Sequence, residues 1–254
     1  MKKLFSDLLI PTLISVILLV LMSASFKADR LITNSRNIFI AAMLNNDGKL
    51  NSKLIIDAGH GGVDGGAVSI TGGKESEINL QIAKKADLLA AFFGINTVMT
   101  RADESIEYPE ITETIHDKKV YDSKRRIDII NNTSNATLVS IHQNHFDDSS
   151  VIGAQIFYNS FENSSILADF VSTNLKEFAE KVRTPQKISD NIYIFRYAKC
   201  PSILIECGFI SNEHENSLLI NNNYQIKTSL AVIIGFLQYE NLAEQSVGGM
   251  IYES

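Results

Sequence analysis

The chain contains no tryptophan. That removes the usual broad aromatic platform for stacking a sugar ring, so any contact with carbohydrate falls to Tyr, Phe and polar groups. Only two cysteines are present, Cys200 and Cys207. The Pro201 to Glu206 stretch between them reads as extended, and six extended residues span roughly 20 Å, whereas a disulfide needs its Cα atoms within ~7 Å. Two thiols are expected, and a disulfide-built scaffold is excluded. No Lys/Arg-rich run occurs, and 23 basic against 29 acidic residues leave a formal charge of -6. Both facts argue against a nucleic-acid partner. The sequence also lacks a G-x-x-x-x-G-K-[ST] phosphate loop, which removes support for nucleotide binding, and an H-E-x-x-H motif. Internal repeats and low-complexity segments are absent as well.

What remains is an ordinary globular composition: 254 residues, 45% apolar and 20% charged. That is enough for one sizeable domain. The N-terminus departs from it. Lys2 and Lys3 precede an apolar stretch from Leu8 to Met22, extended by Ser23, Ala24, Ser25 and Phe26. Residues 1–26 are therefore expected to be a signal peptide or a membrane anchor, nearly long enough to cross a hydrocarbon layer of about 30 Å. Ser23 and Ser25 match a small-residue cleavage site poorly, which tilts the reading toward an anchor. The two lysines should stay inside, placing everything after Phe26 across the membrane. Residues 27–50 read as a polar linker, 51–241 as one globular domain and 242–254 as a loose C-terminal tail.

Within 51–241, short β-branched runs alternate with amphipathic segments. Strands are expected at Leu54–Asp57, Ile95–Thr100, Thr137–His142, Gly153–Tyr158, Ile192–Arg196 and Ser202–Glu206. Helices are expected at Glu75–Phe93, Ser123–Asn131, about Ser164–Lys181, about Glu213–Ile220 and about Tyr224–Tyr239, with a charged loop over 102–120. Ile78, Ile82, Ala86, Leu89 and Phe93 share one helical face, and Gly94 is a natural stop. The pattern predicts an α/β domain with a mostly parallel central sheet flanked by helices on both faces.

Four polar residues fall at equivalent places in this pattern. His60 follows the first strand in IIDAGHGG, His142 ends another in LVSIHQN, and Glu206 ends a third in SILIECGF. Glu75 opens the helix after the first. If these strands are parallel neighbours, all four side chains meet at the sheet's carboxyl edge, where open α/β sheets hold their ligands. Two imidazoles and one carboxylate leave a tetrahedral Zn²⁺ with an open position, and a second carboxylate can handle protons. Each residue has a plainer reading too. His60 could be a turn residue among glycines, His142 a hydrogen-bonded core histidine with His145 as a rival, and Glu75 a first-turn acid complementing the helix dipole with Glu77 as a rival. Glu206 resists this treatment, because an unpaired carboxylate after Ile203-Leu204-Ile205 is costly to bury. Asp57 could orient His60 from behind. Arg126 could pair with an active-site carboxylate or lie in solvent.

IIDAGHGGVDGGAV, Glu75 before NLQIA, MTR at Met99–Arg101, RRIDIIN at Arg125–Asn131, SIHQN at Ser140–Asn144 and IECGFISN at Ile205–Asn212 occur in this order. The chain thereby resembles the zinc-dependent N-acetylmuramoyl-L-alanine amidases of the type 3 class, over roughly residues 53–240. The resemblance implies cleavage of the amide between the lactyl group of N-acetylmuramic acid and L-alanine in peptidoglycan. It also implies one Zn²⁺ held by His60, Glu75 and His142, with Glu206 as the catalytic acid/base. Two positions depart from the family, which often has small residues where His145 and Cys207 stand. One catalytic domain, an N-terminal anchor and no wall-binding repeats are similar to the sporulation amidases of endospore formers. That implies action on spore cortex, toward muramic-δ-lactam and germination, in the intermembrane space of the developing spore, with room for an accessory activating protein. The alternatives are another zinc-dependent wall peptidase or deacetylase, or an inactive anchored wall-binding protein.

Overall fold

The computed structural model describes residues 52–189 and 191–251, with side-chain surroundings through Ala243. The expected N-terminal anchor and linker lie outside the described residues. Among those described, no helix is long and apolar enough to cross a membrane.

Six strands form one sheet: β1 (Lys53–Ala58), β2 (Thr97–Met99), β3 (Ala136–Asn144), β4 (Gln155–Tyr158), β5 (Gln186–Lys187) and β6 (Ser202–Phe209). Their order is β2-β1-β3-β6-β4-β5. β2, β1, β3 and β6 run parallel, while β4 pairs antiparallel with β6 and parallel with β5. The chain leaves β1 to one side for β2 and then crosses to the other side for β3. The carboxyl ends of β1 and β3 thus flank a topological switch point, where a crevice opens above the sheet.

Helices cover both faces. On one face, α1 (Glu75–Phe92) lies on β1 and β3, α3 (Ser164–Leu175) lies on β4 and β6, and both pack against α6 (Asn222–Ile251), which follows the short α5 (Glu213–Leu219). On the other, α2 (Ile115–Asn132) and the short α4 (Tyr193–Tyr197) pack together. Ile127, Ile130 and Phe195 there meet Ile55, Leu138 and Leu204 of the sheet. Reversing the sense of the crossover between β1–β2 and β2–β3 requires this change of face, because βαβ connections keep one hand. The alternation along β1 follows: Ile55 and Asp57 face α2, and Leu54 and Ile56 face the opposite layer.

Several elements differ from the sequence expectation, each for a local reason. The charged loop is shorter than expected because α2 begins at Ile115, where Thr114 and Asp117 form a reciprocal capping box. The helix expected to reach Lys181 ends at Leu175, since the following chain must return so that Ala154 N–H donates to Lys181 O and Arg183 N–H to Ala154 O. The run Ile192–Arg196 is a turn of helix and not a strand. Its β-branched and aromatic content suits a half-buried surface, but only Phe195 is buried while Tyr193 and Tyr197 stay exposed. β5 is two residues long and carried no sequence signal. The last helix continues to Ile251, past the expected end at Tyr239 and into the segment expected to be loose. Gly94 stops α1 as expected, with φ of 72°. Cys200 and Cys207 are both buried free thiols.

A buried polar stack ties α2 to the sheet below the crevice. Asp57, fully buried, accepts from Thr100 Oγ1 (2.6 Å), Ser140 Oγ (2.5 Å) and Arg126 Nη1 (2.6 Å). Burial alone would raise Asp57, but the Arg126 charge and the two hydroxyl bonds outweigh it and hold the carboxyl at about 2. Because the folded value lies below the ordinary one, this stabilisation is complete above about pH 4 and is lost as pH falls through 2. Asp57→Ala leaves the charged, buried Arg126 with Asp122 as its remaining carboxylate. It is expected to destabilise the fold by about 3 kcal/mol, the lower end for a broken buried pair, read from urea unfolding at pH 7. A variant within error of wild type would contradict the role of this ion pair.

Candidate metal centre

The three donors converge. One ligand atom each from His60, Glu75 and His142 lie within 4.8 Å of one another. Glu75 sits at the centre: its Oε2 is 3.3 Å from His60 Nε2 and its Oε1 is 3.1 Å from His142 Nδ1. The imidazoles meet edge to face, with centroids 5.0 Å apart. Glu206 is the register partner of His142 across β3 and β6, so the two side chains share a sheet face. The rivals Glu77 and His145 are exposed and lie outside the three-donor cluster.

Each residue is placed by its own device. His60 leaves β1 in the left-handed region, with φ of 59°, a costly conformation for a side-chain-bearing residue. Arg126 holds it there by donating to both the Ala58 and His60 carbonyls. Arg126 is therefore neither solvated nor paired with a metal-site carboxylate, and Asp57 does not touch His60. Asp57 orients Arg126, and Arg126 orients the His60 backbone. The carboxylate on His60 Nδ1 is instead Asp64 Oδ2, at 2.9 Å. Sequence reasoning missed it; the available signal was an acid four residues after a histidine within a glycine-rich turn.

Glu75 is buried, yet both oxygens are satisfied. Oε1 accepts from Gln143 N–H (3.0 Å) and Asn79 Nδ2 (3.3 Å), and Oε2 accepts from Ala67 N–H (3.0 Å). Asn79 also donates to Gly59 O and accepts from Gln143 Nε2. Burial opposes ionisation of Glu75, but its bonds to His142 and His60 prevail and push it far below the usual carboxylate range. Burial likewise opposes charging His60, and Asp64 and Glu75 overcome it, raising the imidazole to about 9. Two imidazoles and one ionised carboxylate are a donor set of the kind that suits a divalent cation.

Glu206 has the opposite environment. Its Oε2 is buried without a hydrogen-bond partner. Burial pushes it up to about 7; the His142 charge pulls against this and Glu75 adds to it. Cys207 beside it is raised by burial and then by the Glu206 charge, so it is an inert thiol. A separate cavity of about 750 Å³, lined by Ile70, Ser149, Ser211, Asn212, Glu213, His214 and Ser217, includes none of the four site residues.

Glycine is required where the loop meets the donors. A Cβ on Gly59 would overlap the His142 ring. One on Gly66, at φ +68°, would lie 2.6 Å from Glu75 Oε2 and 2.9 Å from His60 Cδ2. Gly59→Ala is expected to displace His142 and lower bound metal several-fold while the secondary structure persists. Elemental analysis with far-ultraviolet circular dichroism checks this, and full metal content would show that the close approach is unimportant.

Comparison with known proteins agrees with this geometry. The family model described as N-acetylmuramoyl-L-alanine amidase matches residues 54–237, spanning the sheet and all four site residues. This chain belongs to that family. The germination-specific N-acetylmuramoyl-L-alanine amidase of Bacillus subtilis is 32% identical over 194 residues, covering 75% of this chain and 81% of that protein. Among solved structures, the CwlD amidase from Clostridioides difficile, in complex with the GerS lipoprotein, superposes with a TM-score of 0.71. It is 37% identical and covers 76% of this chain and 100% of that one. The amidase AmiC2 of Nostoc punctiforme gives 0.63 at 26% identity, covering 76% and 97%.

Proposed function

We propose that this amidase-family chain is a zinc enzyme that hydrolyses the amide joining N-acetylmuramic acid to L-alanine in peptidoglycan. The observation that carries the reading is the convergence of His60, Glu75 and His142 within 4.8 Å beside the unpartnered buried oxygen of Glu206. The donor set fits zinc: two imidazoles and one carboxylate, all at a carboxyl edge. His60, Glu75 and His142 would hold the ion. When bound, zinc supplies Lewis acidity and a water acidified toward neutrality.

The remaining chemistry belongs to the chain. Glu206 takes a proton from the attacking water and returns it to the departing L-alanine amine. Its Oε2 is free for this because no protein group occupies it. Gln143 and Asn79 keep Glu75 fixed, and Arg126 keeps the His60 turn closed.

The relatives support a narrower role. Resemblance to a germination-specific amidase, and to one solved with a lipoprotein, favours stem-peptide removal from spore cortex, outside the cytoplasm, with an accessory protein. An N-terminal membrane anchor belongs to the same proposal. Mass spectrometry of purified peptidoglycan incubated with the protein, with and without zinc, tests the activity. A new free alanine amino group with an intact lactyl carboxyl is expected, and only with zinc. Release of other peptide fragments, or of acetate, would replace this reading with a peptidase or a deacetylase.

A further inference from the structure

Beyond the three donors, the loop that carries His60 is gripped from outside the site. Gly61 and Asp64 exchange backbone hydrogen bonds (2.7 and 3.0 Å), closing a tight turn around Gly62 and Val63. The segment preceding α2 clamps that turn. Gly62 N–H donates to Glu104 O (2.7 Å), and Val63 N–H donates to the Tyr108 hydroxyl (3.2 Å). A side chain at Gly62 would collide with that hydroxyl. Glu104 is itself held by Arg101 Nη1 (3.1 Å) and by the Ser76 hydroxyl. From the second turn of α2, Lys119 Nζ reaches Asp64 Oδ1 at 2.8 Å. The other oxygen, Oδ2, faces His60 Nδ1.

We infer that Asp64, held by Lys119, is the positioning residue that sets the metal affinity of His60. A histidine has two ring nitrogens, and the partner of one decides what the other can do. With Nδ1 engaged by Asp64, Nε2 is the nitrogen left toward Glu75 Oε2, and the one a metal would take in place of a proton. A carboxylate behind a ligating imidazole also fixes ring rotation and strengthens the ligand. Lys119 acts one step further out. It engages one Asp64 oxygen, so the other is directed at His60. Its charge would by itself oppose a nearby dication, but Lys119 is 48% exposed and that repulsion is screened by water. The positioning effect therefore decides the sign. A half-exposed lysine on α2, 59 positions along the chain from His60, is thereby linked to the metal through two contacts.

This inference rests on the metal reading above, and one titration separates the two. Zinc is added to metal-free full-length protein in competition with a chromophoric chelator. Wild type that binds no zinc ends the metal reading itself. Given wild-type binding, Asp64→Ala is expected to weaken zinc affinity about 10–100-fold. Asp64→Asn, which keeps the shape and loses the charge, should move it in the same direction and carries the test if the alanine variant does not fold. Lys119→Met should weaken affinity by a smaller factor, and Lys119→Arg should restore it, because a guanidinium still grips the carboxylate. In the Asp64→Ala background, Lys119→Met should add nothing. Asp64 variants with wild-type affinity overturn the inference. So does a Lys119→Met effect of equal size in both backgrounds, which would mean that Lys119 does not act through Asp64.

Discussion

Glu206→Gln is expected to lower amide cleavage by about 10²–10⁴-fold, the usual contribution of a positioned general base, while zinc content stays near wild type. The amide keeps the shape of the carboxylate but cannot accept the water's proton. Zinc is retained because Glu206 lies outside the three-donor cluster. The stability of the metal-free variant separates this reading further. Burial raises Glu206 to about 7 in the folded protein from an ordinary 4.5. Below pH 4.5 the carboxyl is protonated folded or unfolded, so it makes no difference there. Above pH 7 the fold must hold it ionised, at a cost that has grown across that interval. The Gln variant should therefore melt higher than wild type at pH 8 and equally at pH 4. If Glu206 merely anchored a buried ion pair, activity would persist and stability would fall at pH 8. Rate, zinc content and melting temperature measured on one preparation decide between these outcomes. Near wild-type turnover with normal zinc would remove Glu206 from catalysis.

The second large effect is loss of the metal. His60→Ala or His142→Ala should each reduce bound zinc from about one per chain to a small fraction, because each removes one of three protein donors. The two variants are expected to differ in the metal-free protein. His60→Ala leaves a non-glycine residue at φ of 59° and removes the Asp64 contact, so the loop should loosen; His142→Ala empties space against Gly59 and leaves the loop closed. Elemental analysis reads the zinc, and hydrogen exchange over residues 59–66 reads the loop. Unchanged zinc content in both variants would dismantle the proposed site. Glu75→Ala should also weaken binding, and by less if water replaces the carboxylate.

The spacing of polar residues against the β-branched runs made much of this legible from sequence. A histidine after one strand, a histidine ending another and a glutamate ending a third can meet only if those strands are parallel neighbours. The register Asp57 with Ser140 and His142 with Glu206 meets that condition. The free thiols, the Gly94 stop and helices on both faces follow from reach, backbone freedom and periodicity, which are local properties. The family blocks then favoured His142 over His145 and Glu75 over Glu77, where composition had left both open.

Other features depended on contacts that no local pattern records. Ile192 to Arg196 has the residues of a strand, yet only Phe195 is buried, with Ile194 packed at the edge of the same core, so the segment coils. The two residues of β5 exist as a strand because β4 offers them an edge. In sequence, Asp57 reads as a possible partner for His60, and Arg126 as either a partner for an active-site carboxylate or a solvated cation. The crossing of α2 over the sheet buries them together, 69 positions apart in sequence. Asp64 illustrates the same limit at short range. Four residues from His60, it is an unremarked loop acid until the left-handed turn at His60 and the clamp from Glu104, Tyr108 and Lys119 swing its carboxylate onto the imidazole. The sequence determined which chemical groups would gather at the edge of the sheet, because strand spacing and side-chain alternation are set by local geometry. Tertiary structure alone decided how each is held and charged, because burial and pairing depend on neighbours distant along the chain.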